Sequence, residues 1–202
     1  MTILPQPPLS AEPVVDGRRL RSEASRLRIV EAMIALVSEG LTMPPAEAVA
    51  ARAGVGLRTV FRLFEDMDGL YRGMQVVMTA RLGGLLEAPV EAADWREAIG
   101  ILINRRSEAF EILLPLQIAA DSPRTRSAAL REGRLRLVQA QRDTLLAILP
   151  AEVRADAELV QALDLALSFE AWRRLRTDQG ADIVQARSVL RRTADALIHD
   201  LA

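Results

Sequence analysis

The 202-residue chain has no cysteine and no lysine, a single histidine, and only 3% aromatic residues. The absence of cysteine excludes a disulfide framework, a thiolate nucleophile and a cysteine-built zinc site. One histidine, His199, cannot form a histidine pair, and its place close to the last residue is a poor one for a catalytic centre. No catalytic residue, metal site or cofactor is therefore expected, and the chain reads as a non-enzyme. No apolar run approaches the ~18 residues of a membrane span. No basic residue precedes Arg18, so a positively charged leader is also missing, and a cytoplasmic protein without membrane contact is expected. With few rings available, the core must come from Leu, Ala, Val and Ile, a mixture that favours helices. All 26 basic residues are arginines, set against 27 acids for a net charge of -1. Global charge thus does not single out a nucleic-acid partner.

Along the chain, residues 1–17 carry Pro5, Pro7, Pro8 and Pro13 without periodicity and read as a disordered tail. Between Arg18 and Arg28, five arginines face one acid, Glu23, which makes a basic arm. Ile29, Val30, Met33, Leu36 and Val37 then recur at three-and-four spacing, and Gly40 supplies a stop. Pro44 and Pro45 suit the start of a short helix over Ala46 to Ala53. Gly54-Val55-Gly56 interrupts the pattern, and a second short helix follows from Leu57 to Phe64. Longer helices are predicted from Met67 to Glu87, from Asp94 to Ala120 with a kink or break at Pro115, and from Arg126 to Leu149. Two more are expected, from Asp156 to Thr177 and from Asp182 to Leu201. No segment alternates with period two, and the fold class is all-α.

Two short helices joined by a glycine turn have the geometry that lets the second helix enter a major groove about 12 Å wide. Around that turn stand Val49-Ala50, Ala53-Gly54-Val55, Arg58-Thr59, Phe61, Phe64 and Leu70, with Ile29-Val30-Glu31-Ala32 and Gly40 upstream. This order resembles the TetR family of transcriptional regulators over about Arg28 to Leu70. The resemblance implies a helix-turn-helix DNA-binding domain over 18–66, and a helical-bundle ligand-binding and dimerisation domain over 67–202. The sequence departs from the family at several positions. Pro44 and Pro45 stand where the family starts its second helix with a hydroxyl residue. Gly56, Phe61, Leu63 and Met67 replace its turn serine, tyrosine, histidine and lysine. Phosphate contacts supply much of DNA affinity, so other groups must compensate. Arg18, Arg19, Arg21, Arg52, Arg58 and Arg62 are the candidates, with Thr42 as a substitute hydroxyl. Arg58 and Arg62, one turn apart, are the first nominees for bidentate contact with guanine, and the arm from Arg18 to Arg21 for the backbone or a minor groove. Gly56, Leu57, Thr59 and Phe61 complete the candidate DNA face. Phe64 reads as core, while Phe61 is left open between core and contact.

For the remaining two thirds, the resemblance implies a two-fold dimer and an effector pocket. Leu163, Trp172, Ile183, Leu190 and Leu197 fall on the stripes of the last two predicted helices and are the dimer candidates, with intramolecular core as the alternative. Met74, Met78, Trp95, Phe110, Leu114 and Gln117 are the pocket candidates, although such stripes also build ordinary core. The expected partners are an operator in double-stranded DNA, a second copy of the chain and an unidentified small-molecule effector. The functional expectation is a homodimeric repressor released from DNA by that effector. The alternative is a helical protein-interaction or ligand-sequestering module that has lost specific DNA binding. An all-α enzyme would have to rely on carboxylates and arginine, and pairs such as Glu108 and Glu111 read as a solvated face.

Overall fold

The computed structural model describes residues 17–86 and 88–199. The proline-rich stretch before Gly17 and the predicted helix ends at Glu87 and Leu201 lie outside the described residues. Gly17, read from sequence as the last residue of the tail, is the first residue of α1. Among the described residues every regular element is helical: α1 Gly17–Ser38, α2 Ala46–Ala53, α3 Leu57–Phe64, α4 Met67–Leu86, α5 Trp95–Arg124, α6 Ala128–Ile148, α7 Ala151–Ala155, α8 Ala157–Ala166, α9 Phe169–Arg173 and α10 Ile183–Leu197, with a π-helical turn at Arg174–Asp178.

α1 buries Ile29, Val30, Met33 and Val37, the apolar stripe that its sequence spacing announces. It packs on α2, α3, α4 and α5, while α4 packs between α5 and α6. α5 also meets α9 and α10, and α10 covers α8. One core cluster runs through these contacts from Ile29 to Ile198.

Two sequence expectations need correction. α5 runs unbroken through Pro115 and Pro123 to Arg124, past both the expected break and the expected end at Ala120. Proline removes a hydrogen bond and costs about 3 kcal/mol inside a helix. Burial of Phe110 and Leu113 before Pro115, and of Ala119 after it, fastens both halves of α5 to the core and outweighs that cost. The single helix predicted from Asp156 to Thr177 is divided instead. α8 stops at Ala166, and the Ser168 side chain caps α9 by accepting the Ala171 N–H at 3.2 Å. α7, which follows Pro150, was not anticipated from the sequence.

Candidate nucleic-acid interface

The turn between α2 and α3 is built by backbone hydrogen bonds. Gly54 adopts the left-handed conformation, φ 65° and ψ 38°, and its N–H donates to the Ala51 carbonyl at 3.2 Å. The Val55 N–H donates to the Ala50 carbonyl at 3.0 Å, which completes a glycine-terminated helix end. Gly56 then opens α3 in an extended conformation with no side chain to cap it. Val49 and Ala50 of α2, with Val60 and Phe64 of α3, point into the core. Leu57, Arg58, Phe61 and Arg62 form the opposite, exposed face of α3, as their three-and-four spacing requires. Phe61 retains 44% of its surface, so the question left open by the sequence resolves to an exposed ring. Arg58 and Arg62 make no hydrogen bond or ion pair among the described residues.

The other nominated groups differ in availability. Arg19 is exposed and pairs with Glu23 at 3.0 Å one turn along α1, while Arg18 and Arg21 are exposed on the same first turns. Arg52 is held by Glu39, just past α1, in a two-pronged ion pair with one arm at 2.9 Å. Thr59 is half-buried, and Thr42 lies exposed in the loop before α2 without capping it, a position taken by Pro45.

Sequence reading counted Arg26 in the basic arm, but its guanidinium is used internally. It donates to the Leu63 carbonyl at the end of α3 and stacks over the Phe64 ring at 4.5 Å. Arg81 of α4 pairs with Glu31 of α1. These clamps join residues far apart in sequence, so no local spacing signals them.

Beyond α3, the Asp66 carboxylate accepts the Gly69 N–H at 2.7 Å and starts α4. Asp68, in the first turn of α4, accepts the Ala129 N–H at 3.3 Å from the start of α6. A hydrogen bond from Ser127 is the main influence holding the Asp68 carboxyl below its ordinary pKa, against a smaller opposing effect of burial. The head of α4 is thereby tied to the head of α6.

Of the pocket candidates, Met74, Met78 and Gln117 meet at one cavity between α4, α5 and α6. Trp95 lines a separate groove, Phe110 is fully buried edge-to-face against Phe169 at 5.5 Å, and Leu114 packs half-buried against the core. Of the dimer candidates, Leu163, Trp172 and Leu190 are buried inside the single chain and have no surface left to offer a second copy. Ile183 remains exposed and Leu197 half-buried. Of the apolar side chains that α8 and α10 expose, Leu165 and Val184 are the most open, at 71% and 75%, ahead of Val189 and Ile183.

No protein-family model matches the sequence, and no curated protein matches it either. Solved structures do match. A TetR transcriptional regulator from Rhodococcus sp. RHA1 is similar at 23% identity and a TM-score of 0.60, covering 90% of this chain and 100% of that one. A second transcriptional regulator from the same strain gives 17% identity and a TM-score of 0.66, covering 87% of this chain and 96% of that one. A protein assigned to the TetR family of regulators in Mesorhizobium loti MAFF303099 gives 16% identity and a TM-score of 0.65, with coverage of 89% and 97%. The chain therefore has the TetR-like all-α fold, a helix-turn-helix followed by a helical bundle.

Proposed function

We propose that this chain of TetR-like fold is a DNA-binding transcription regulator that works as a homodimer, a repressor released from its operator by a small molecule held between α4, α5 and α6. The observation that carries the reading is the unpaired Arg58–Arg62 pair on the exposed face of α3, in a helix-turn-helix whose other face is core. Two guanidiniums one turn apart, with no internal partner, suit bidentate contact with guanine edges. A single helix-turn-helix reads only a half-site, and a pair of copies spans two half-sites about 34–36 Å apart. A ligand acts on such a dimer only if it prefers one spacing of the two reading helices over the other. Gln75 on the cavity wall donates to the Ala129 carbonyl at 2.7 Å, and Asp68 accepts the Ala129 N–H, which offers a route from the cavity to the head of α4 and on to α3.

The test is binding of the full chain to the DNA flanking its own gene, by gel shift against scrambled competitor at two salt concentrations. A specific complex that weakens steeply with salt is expected. Arg58→Ala and Arg62→Ala should each cost about 1–3 kcal/mol of operator affinity and relax sequence preference. Unchanged affinity and preference in both variants would sink the assignment of α3 as the reading helix. One observation favours a second reading, a protein-interaction or ligand-sequestering module. Gly56, Phe61, Leu63 and Met67 supply none of the family's usual phosphate-binding side chains, and Arg52 is engaged by Glu39. On that reading no specific DNA complex forms even at low salt.

A further inference from the structure

The space between α4, α5 and α6 consists of two adjoining lobes of about 90 Å³ and about 230 Å³, which share Gln75, Met78, Leu113 and Gln117 in their walls. The larger lobe presents Leu82, Leu86, Leu113 and Leu137, and the one charged side chain on its wall, Arg136, donates to the Gln75 side-chain oxygen and pairs with Glu132 at 3.8 Å. The smaller one is edged by Tyr71, Arg124 and Arg134. Both arginines are partly satisfied. Arg124 donates to Asp121 at 2.9 Å and to the Gln117 side-chain oxygen at 3.0 Å, and Arg134 pairs with Glu170. Among the described residues each nevertheless keeps a buried nitrogen without a partner, Nε of Arg124 and Nη1 of Arg134. A buried unpaired donor on a cation is costly.

The charges nearby do not cancel. Arg173 joins the group through Asp121 at 2.6 Å, so three guanidiniums stand against the two carboxylates of Asp121 and Glu170. Burial first, then the positive charge of Arg124, lowers the pKa of Arg134. Asp121 is opposed by its own burial, yet Arg173 and Arg124 hold its carboxyl below the ordinary range. This group at the edge of the smaller lobe therefore carries one guanidinium more than it has carboxylates, and two of its nitrogens have no partner among the described residues.

We infer that the cavity takes an amphipathic carboxylate, its anionic head between Arg124 and Arg134 and its hydrocarbon portion in the larger lobe. This inference rests on the reading of the chain as a ligand-responsive regulator and supplies the chemical class of the ligand. A planar carboxylate matches the fork of donors on a guanidinium. Tyr71, which lines the smaller lobe, carries a neutral hydroxyl able to donate or accept.

The experiment uses the full chain and straight-chain C6 to C10 monocarboxylates, each paired with the primary amide of the same carbon skeleton, in thermal-shift and calorimetric titrations. At least one carboxylate should bind tenfold or more tightly than its amide. Arg124→Met and Arg134→Met should each bring the acid down to the affinity of the amide while leaving amide binding in place. Should a methionine variant misfold by circular dichroism, Glu170→Gln serves instead. It frees a further Arg134 donor and should widen the preference for the acid. Equal affinity of acid and amide in the unsubstituted protein, or a preference that survives both methionine variants, would overturn the anionic assignment while leaving a neutral-ligand pocket standing. Binding of no probe would overturn the assignment as well. Salt-sensitive DNA binding by the unliganded protein in the same preparation separates that failure from failure of the regulator reading.

Discussion

Two glycines on either side of Val55 carry opposite requirements. Gly54, at φ 65°, occupies a conformation that costs an L side chain about 1–2 kcal/mol. Gly54→Ala is expected to destabilise the chain by about that amount in urea titrations and to loosen the α2–α3 turn. Gly56 sits at φ -72° and ψ 147°, which any residue adopts, and a Cβ there would meet nothing within 4 Å. Gly56→Ser should therefore gain about 0.5–1 kcal/mol, because serine caps α3 and narrows the unfolded ensemble. The expected readout is a rise in Tm of roughly 2–4 °C per kcal/mol, and a fall would mean that the open space is used by something else. Arg106 shows a different residue-level economy. It is 1% exposed; its Nη1 donates to the Leu167 carbonyl at 3.0 Å and its Nη2 to the Thr144 hydroxyl at 3.1 Å and the Gln141 carbonyl, while its buried Nε has no partner among the described residues. Burial lowers its pKa to about 10, so it keeps its charge at neutral pH as a cation held by uncharged oxygens.

Among the elements, the break between α8 and α9 shows what long-range packing adds to local pattern. Gln141 of α6 accepts the buried Phe169 N–H at 2.9 Å, and Arg106 of α5 grips the Leu167 carbonyl. Gln141→Leu leaves that N–H unpaired and is expected to cost about 1–3 kcal/mol in thermal unfolding. No spacing within 156–177 could reveal the break, because its partners lie on α5 and α6. Ser168, which caps α9, was the one local sign. Helices α1 to α4 were legible because each carries a stripe or glycine stop of its own, whereas the unbroken course of α5 through Pro115 depends on neighbours. The same limit applies at the site: the face holding Arg58 and Arg62 follows from helical spacing, but the engagement of Arg26 and Arg52 does not. A second test concerns the contact of α5 with α9 and the π-helical turn. Glu111 accepts from Trp172 Nε1 at 2.8 Å and from Arg176 Nε at 2.8 Å and Nη2 at 3.0 Å. Chiefly the Arg176 hydrogen bond holds its carboxyl below the ordinary value. A depressed folded-state pKa means that the unfolded chain binds the proton more readily. The stabilisation is therefore complete above the unfolded value of about 4.3, and is lost as pH falls through the lower folded one. Glu111→Gln should flatten the acid limb of the stability curve, followed by Trp172 fluorescence; an unchanged limb would assign acid sensitivity to other carboxylates.

For the whole molecule, the expected two-fold contact makes a demand on surface rather than core. Leu165 of α8 and Val184 of α10 are the most exposed apolar groups on a pair of helices that pack together. Introducing Leu165→Asp and Val184→Asp together should shift sedimentation equilibrium from a two-chain to a one-chain mass and weaken operator binding with it. A persistent two-chain mass would move the contact to another face. The clamps at Arg26 and Arg81 have a mechanical consequence for such a dimer. Arg26 fastens α1 to the end of α3, and Arg81 fastens α1 to α4, so α3, the proposed reading helix, is mounted on a handle with little play. The twenty residues of α4 span about 30 Å, and a swing of about 10° around the far end carries the mounted head about 5 Å. That travel exceeds one base-pair rise of about 3.4 Å, so on the proposed regulator reading a modest push at the handle would throw the heads of a DNA-bound pair out of step with the helical pitch.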